Sequence, residues 1–278
     1  MGQLLALSTV AIGIRAARFG AIAGRSAISF WRPTAGYSLA CLLVPGGIGE
    51  LTLPIYLKPY GVTALQGLAA LITTRLAAIA LSVILMAIWM PAFLQTSWIR
   101  IGLIMLLSIV LLAILIGVLR NLSAKRIVLW ALPALARMQK SLAEVMKMGR
   151  RFSWQVLLRI AILTVLWKLL NALIYWQLAR SINLGLGFHQ VFGAMLMYSL
   201  FMVLPIPSLA GFGTSETWWI LSLKAEGLNA PHAALAALTF HVGNFFLLTL
   251  IGSWPMIKPL LHERTSFSHP PQMNDQKE

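Results

Sequence analysis

The sequence predicts an all-α polytopic membrane protein, with about six full transmembrane helices plus two re-entrant broken-helix hairpins in an inverted repeat. Three observations predict it. The chain is 59% hydrophobic and only 10% charged, with a mean hydropathy of +0.83, whereas soluble domains carry about 25% charged residues. Apolar runs near the ~20 residues that cross a bilayer recur along the chain. Two of these runs are broken by Pro/Gly stretches, PGGIGE (45–50) and PIPSLAGFGTSE (205–216), which are poor material for continuous helix.

In chain order, the first apolar segment is 3–23. Arg15 and Arg18 interrupt it and no basic n-region precedes it, so no cleavable signal peptide is expected. A broken pair follows at 35–57, then uninterrupted segments at 64–90, 101–119 and 154–178, a second broken pair at 189–223, and a last segment at 231–254. Residues 1–261 are expected to form one integral membrane domain. The polar stretch 262–278 is expected to be a disordered cytoplasmic tail. The single cysteine, Cys41, excludes an intramolecular disulfide and a cysteine metal cluster.

The net charge of +15 is explained by topology rather than by nucleic acid, since cytoplasmic loops collect Lys and Arg. Eight basic residues between Arg120 and Arg151 face one acid, Glu144, so 120–153 is expected to be a basic cytoplasmic loop. Within it, Leu135, Met138, Leu142 and Val145 have roughly helical spacing. Residues 127–148 then lie either as a helix on an anionic inner leaflet or as a plain connector. Anchoring this loop inside puts Arg25, Arg32, Lys58 and the C-terminus in the cytoplasm of a cell whose inner membrane holds the protein.

The chain overlies itself at an offset of 166. Glu50, Leu57, Lys58, Gly61, Ala64, Ala70 and Thr73 match Glu216, Leu223, Lys224, Gly227, Ala230, Ala236 and Thr239. The repeat halves are about 35–90 and 196–254. With the expected topology they face opposite ways across the membrane, as in transporters whose sites lie where broken helices meet at the repeat interface. Gly46, Gly47, Gly49, Gly211 and Gly213 would let the chain turn and a ligand approach the backbone. The helix N-termini after each break would offer free N–H groups to a phosphate.

Only two of the seven acidic residues fall inside the membrane, Glu50 and Glu216, at equivalent repeat positions. An ionisable group at that depth costs several kcal/mol and is by default a functional hypothesis. Candidate basic partners are Arg15, Arg18, Arg75, Arg159, Lys168 and His241, of which Arg75 and His241 are again repeat-equivalent. The alternative is structural: ion pairs that pin the hairpins, or carboxylates that cap the helices after each break.

The stretches LLVPGGIGELTLPIYLKPYGV, TTR and LPIPSLAGFGTSE resemble signature segments of the flippase-like integral membrane family, that of the transmembrane region of lysylphosphatidylglycerol synthase/flippase. The resemblance covers about residues 10–255. It implies an inner-membrane protein that moves lipids or lipid-linked groups between leaflets, with Glu50, Arg75 and Glu216 at motif positions. The soluble aminoacyl-transferase domain of the synthase has no counterpart in these residues, so aminoacyl transfer is not expected. The leading expectation is therefore a flippase or transporter for a phospholipid or polyprenyl-phosphate headgroup. Its translocation site would comprise Glu50, Glu216, Arg75, His241 and Arg18 with the five glycines. The alternatives are an intramembrane lipid-modifying transferase and a membrane anchor for a separate glycosyltransferase or synthase. No cofactor, metal or nucleic acid is expected. The expected partners are anionic or phosphate-bearing membrane lipids, with a homo-oligomer or a separate transferase subunit left open.

Overall fold

The structure, a computed structural model, describes residues 1–24, 26–93, 153–202 and 212–266, with side chains described except at 45–48, 89–93 and 254–266. The described residues are helical and contain no strand. The expected segment 101–119, the basic loop through residue 152, Arg25, residues 203–211 with Gly211, and the tail from residue 267 lie outside them.

Helix α1 is Gly2–Ala23 and α2 is Ala27–Leu43. A 3₁₀ segment, Pro45–Thr52, leads into the short α3, Leu53–Leu57. A second 3₁₀ turn, Lys58–Tyr60, precedes α4, Ala64–Phe93. Then come α5 (Trp154–Ser181), α6 (Phe188–Phe201), α7 (Thr214–Ala225) and α8 (Ala230–Ser266). Among the described residues, four stretches are long and apolar enough to cross a membrane: Gly2–Ala23, Ala64–Ile88, Trp154–Ser181 and Ala230–Ser253. They coincide with the uninterrupted segments expected at 3–23, 64–90, 154–178 and 231–254. On α8 the exposed Leu235, Leu238, Val242, Phe246 and Leu250 recur every three or four residues, the stripe a helix presents to an apolar solvent.

Local chemistry sets the boundaries. α2 begins at Ala27 rather than at 35, because the Ser26 hydroxyl accepts from Ile28 N and caps the helix. α4 opens on a reciprocal capping box, Thr63 N to Gln66 Oε1 (3.0 Å) and Gln66 N to Thr63 Oγ1 (3.2 Å). Ser153 caps α5 through Val156 N. α8 continues through Ser266, into the 262–278 stretch read from sequence as tail.

At PGGIGE the α-helix gives way to the 3₁₀ segment, which folds back on α2. A Cβ on Gly49 would lie 2.7 Å from Ala40 O and from Cys41 Cα, so only glycine admits this approach. α3 then packs on α4, where Gly67 meets the Pro54 backbone. The second half repeats the plan. Tyr198 of α6 stacks on Trp219 of α7 (4.6 Å), and Trp219 meets Phe240 of α8 edge-on (4.8 Å). α2 packs against α8, and α4 against α6. These two contacts exchange when the halves are exchanged, as a two-fold relation requires. α1 and α5 lie against each other and both touch the two halves.

Candidate functional site

The repeat offset places two carboxylate–base contacts at equivalent positions. Glu50, in the 3₁₀ segment, pairs with Arg75 of α4: Arg75 Nε donates to Glu50 Oε2 (2.6 Å) while Nη2 meets Oε1. This is the planar two-point match that guanidinium offers a carboxylate. In the other half, His241 Nδ1 of α8 lies 3.2 Å from Glu216 Oε1, with the two side chains 3% and 15% exposed. Phe212 covers the His241 ring at 4.3 Å between centroids. The second carboxylate oxygen of Glu216 accepts from Gly213 N (2.8 Å), and Gly213 has φ +85°, a backbone conformation suited to glycine. Glu216 thus caps α7 and also pairs with His241.

The amide of Gly213, the residue before α7, is taken by the chain's own carboxylate, and α3 is only five residues long. The cationic surface is carried by side chains. Two adjoining hollows, each about 760 Å³ out to the mouth, share Arg15, Trp167, Lys168, Tyr198 and Ser199 on their walls. One hollow adds Arg18 and Arg75, giving it four basic side chains, and among the described residues the lining of both contains no carboxylate.

Each cation is held in place. Arg15 Nη1 donates to Ser38 Oγ (3.0 Å), and its guanidinium lies over the Tyr37 ring (4.7 Å). Arg18 is 4% exposed; Nη2 donates to Thr74 O (2.8 Å), the guanidinium faces Trp167 (5.5 Å), and buried Nε has no hydrogen-bond partner among the described residues. Lys168, 1% exposed, donates to Ser199 Oγ (3.2 Å). Arg75 has Glu50 as its counter-charge, whereas Arg15, Arg18 and Lys168 have no carboxylate partner among the described residues. Cations held this way are costly where they are buried, which suits the hollow to an anion.

Of the residues expected from sequence, Glu50, Arg75, Glu216 and His241 are brought together in their two pairs. Arg18 and Arg75 line the hollow. Glu216 and His241 do not line it; they stand behind Tyr198, whose hydroxyl hydrogen-bonds Ser215 (3.1 Å). Gly46, Gly47 and Gly49 lie in the 3₁₀ segment, Gly213 opens α7, and Gly211 is outside the described residues. Arg159 is exposed on α5 and away from the site. Asn171, Asn244, Tyr198, Ser199 and Trp167 went unnoticed in the sequence. The spacings Lys168/Asn171 and His241/Asn244, three residues apart on apolar helices, are the signal that points to two of them.

Membrane-length helices around a basic hollow define a polytopic helical membrane protein. More narrowly, the chain belongs to the family described as lysylphosphatidylglycerol synthase TM region, whose model matches residues 2–252. No curated protein and no solved structure matches it.

Proposed function

We propose that the protein is a lipid transporter of the flippase type, moving a phospholipid or polyprenyl-phosphate headgroup between leaflets of the inner membrane. The two broken hairpins act as opposed halves of an inverted repeat, with the basic loop and C-terminus in the cytoplasm. The observation that carries this reading is the hollow lined by Arg15, Arg18, Arg75 and Lys168, with no carboxylate among the described residues of its lining. A phosphate inside it would offset Arg15, Arg18 and Lys168, which have no carboxylate partner among the described residues, while the acyl chains remain in lipid. Family membership supports the same reading.

The test is purified protein in proteoliposomes carrying acyl-labelled phospholipid or polyprenyl phosphate. Movement of label between leaflets without partner or cosubstrate is the expected result. A new lipid product on adding an activated donor would favour the transferase instead. No movement alone, with synthesis only after a soluble synthase is added, would favour an anchoring subunit.

A further inference from the structure

Resting on that transport reading, the two carboxylate–base contacts of the repeat differ in one chemical respect. A guanidinium keeps its proton at every physiological pH, and Arg75 grips Glu50 at two points. An imidazole gains and loses its second proton between about pH 5 and 8, and the contact of His241 is incomplete. Nδ1 lies 3.2 Å from Glu216 Oε1, yet this Oε1 and the far ring nitrogen Nε2 are both buried without a hydrogen bond among the described residues. Phe212 covers the ring. Few titratable groups face it from the neighbouring helices. α7 brings Glu216, α6 brings the Tyr198 hydroxyl beyond Ser215, and α5 brings Tyr175, whose ring meets Phe240 (5.2 Å). One turn along α8, Asn244 shares the second hollow with Arg15 of α1 and Lys168 of α5. α2 meets α8 through Ala35 and Leu39 at Gly252, about three turns away. Of these groups only Glu216 is a carboxyl, so it is the counter-charge to a protonated ring.

We infer that Glu216 and His241 form a proton-binding site linked to the hollow, so that a proton crosses with the anionic headgroup. With one proton on the ring, placed at Nδ1, the N–H points toward Oε1. A second proton, taken from water on the side the lipid leaves, enters at Nε2, and both nitrogens then donate. A buried N–H without an acceptor is costly, so proton uptake favours a rearrangement that gives Nε2 one. The link to the hollow is short. Tyr198 lines both hollows, hydrogen-bonds Ser215, the residue before Glu216, and stacks on Trp219, which meets Phe240 beside His241. An anion in the hollow favours added positive charge nearby. Headgroup and proton together then carry less net charge through the membrane than the headgroup alone. Glu50 and Arg75 take no part in this exchange, because their proton is fixed on the guanidinium.

The experiment uses the full chain, with acyl-labelled phosphatidylglycerol as the probe. In proteoliposomes with the membrane potential clamped, acid by one pH unit on the side where the label starts should speed its movement up to about tenfold over equal pH, the linkage of one bound proton. In detergent, binding of the lipid, followed by native mass spectrometry, should be accompanied by proton uptake, read with a pH dye in weak buffer near neutral pH. His241→Gln removes the titrating ring. Glu216→Gln removes its counter-charge and keeps an acceptor for Gly213 N. Each should abolish the proton uptake and the response to the gradient. A merely structural role would lower movement and leave both responses in place. Size-exclusion chromatography checks folding, and either variant suffices if the other fails to fold. Movement that ignores the gradient, or proton uptake unchanged in the variants, overturns the inference and keeps transport. Proton uptake on binding without movement keeps the proton site and overturns transport. Neither uptake nor movement overturns both.

Discussion

At residue scale, Glu50 and Glu216 occupy matching repeat positions but have different neighbours. Glu50 is held by a guanidinium, whereas Glu216 caps its helix and faces an imidazole. Glu→Gln keeps shape and one acceptor oxygen and removes the charge. For Glu216 the capping bond survives, and the lost charge term is about 0.3–1 kcal/mol, up to ~2 when partly buried. Both variants should therefore express and remain folded in detergent. If each carboxylate sets the charge of the pathway, both should lose most headgroup movement in proteoliposomes. Near-normal movement by both would leave them as hairpin pins only. These four residues were legible because the 166-residue offset pairs Glu50 with Glu216 and Arg75 with His241. The hollow itself was not, since it is completed by α1 and α5, which lie outside the repeat and reach it only through folding. A second prediction concerns Glu226, in the turn after α7. Burial lifts its carboxyl from the ordinary 4.5 to about 7, and the group lies against Gly193 of α6. The folded chain then binds this proton more tightly than the unfolded chain does. Its stability contribution is complete below pH 4.5, is lost as pH rises to 7, and stays lost above. Glu226→Gln should flatten that fall and stabilise the protein at pH 8 by about 1 kcal/mol, allowing for the group's residual exposure. Thermal unfolding at pH 4.5 and 8 measures it, and parallel pH profiles for both proteins would contradict it.

At the scale of elements, the Pro/Gly breaks announced where helix stops, and the structure shows why glycine stands at particular places. Gly67 on α4 lies under α3: an added Cβ would come 2.8 Å from Pro54 Cα and 3.1 Å from its Cβ. A proline backbone at the start of a short helix has little room to retreat. Gly67→Ala should cost about 1–3 kcal/mol and loosen the hairpin that carries Glu50. Gly13 of α1 is the contrast, since its added Cβ meets only Trp31 Cδ1 at 4.0 Å. Gly13→Ala should be neutral or stabilising by about 0.5–1 kcal/mol. Thermal melts in one detergent compare them, and equal melting temperatures for the two variants would refute the packing argument. The early start of α2 was hidden because the apolar period alone placed it at 35, while a single Ser26 hydroxyl settles the cap at 26.

At the scale of the whole molecule, the open question is which side the first hairpin enters from. Length does not decide it. The 17 residues of α2 make ~25 Å of helix at ~1.5 Å per residue, close to the ~30 Å of hydrocarbon, so α2 suits a crossing as well as a return. Charge does discriminate. Arg32 and Lys58 are exposed on either side of the break, and placing both on the cytoplasmic surface follows the positive-inside bias. From Arg32 to Cys41 the helix then rises ~14 Å. On that placement PGGIGE would come near the midplane, and the chain would return through α3 to Lys58. Cys41, half-buried and the only cysteine in the chain, reports on this directly. A membrane-permeant maleimide should label it in intact cells. A charged, impermeant maleimide should label it only in inside-out vesicles, and there more slowly than an engineered cysteine at Lys58, because Cys41 lies deep in the hairpin. Impermeant labelling of intact cells would show that the break opens outward, exchange the sides of the two hairpins, and move the basic loop out of the cytoplasm.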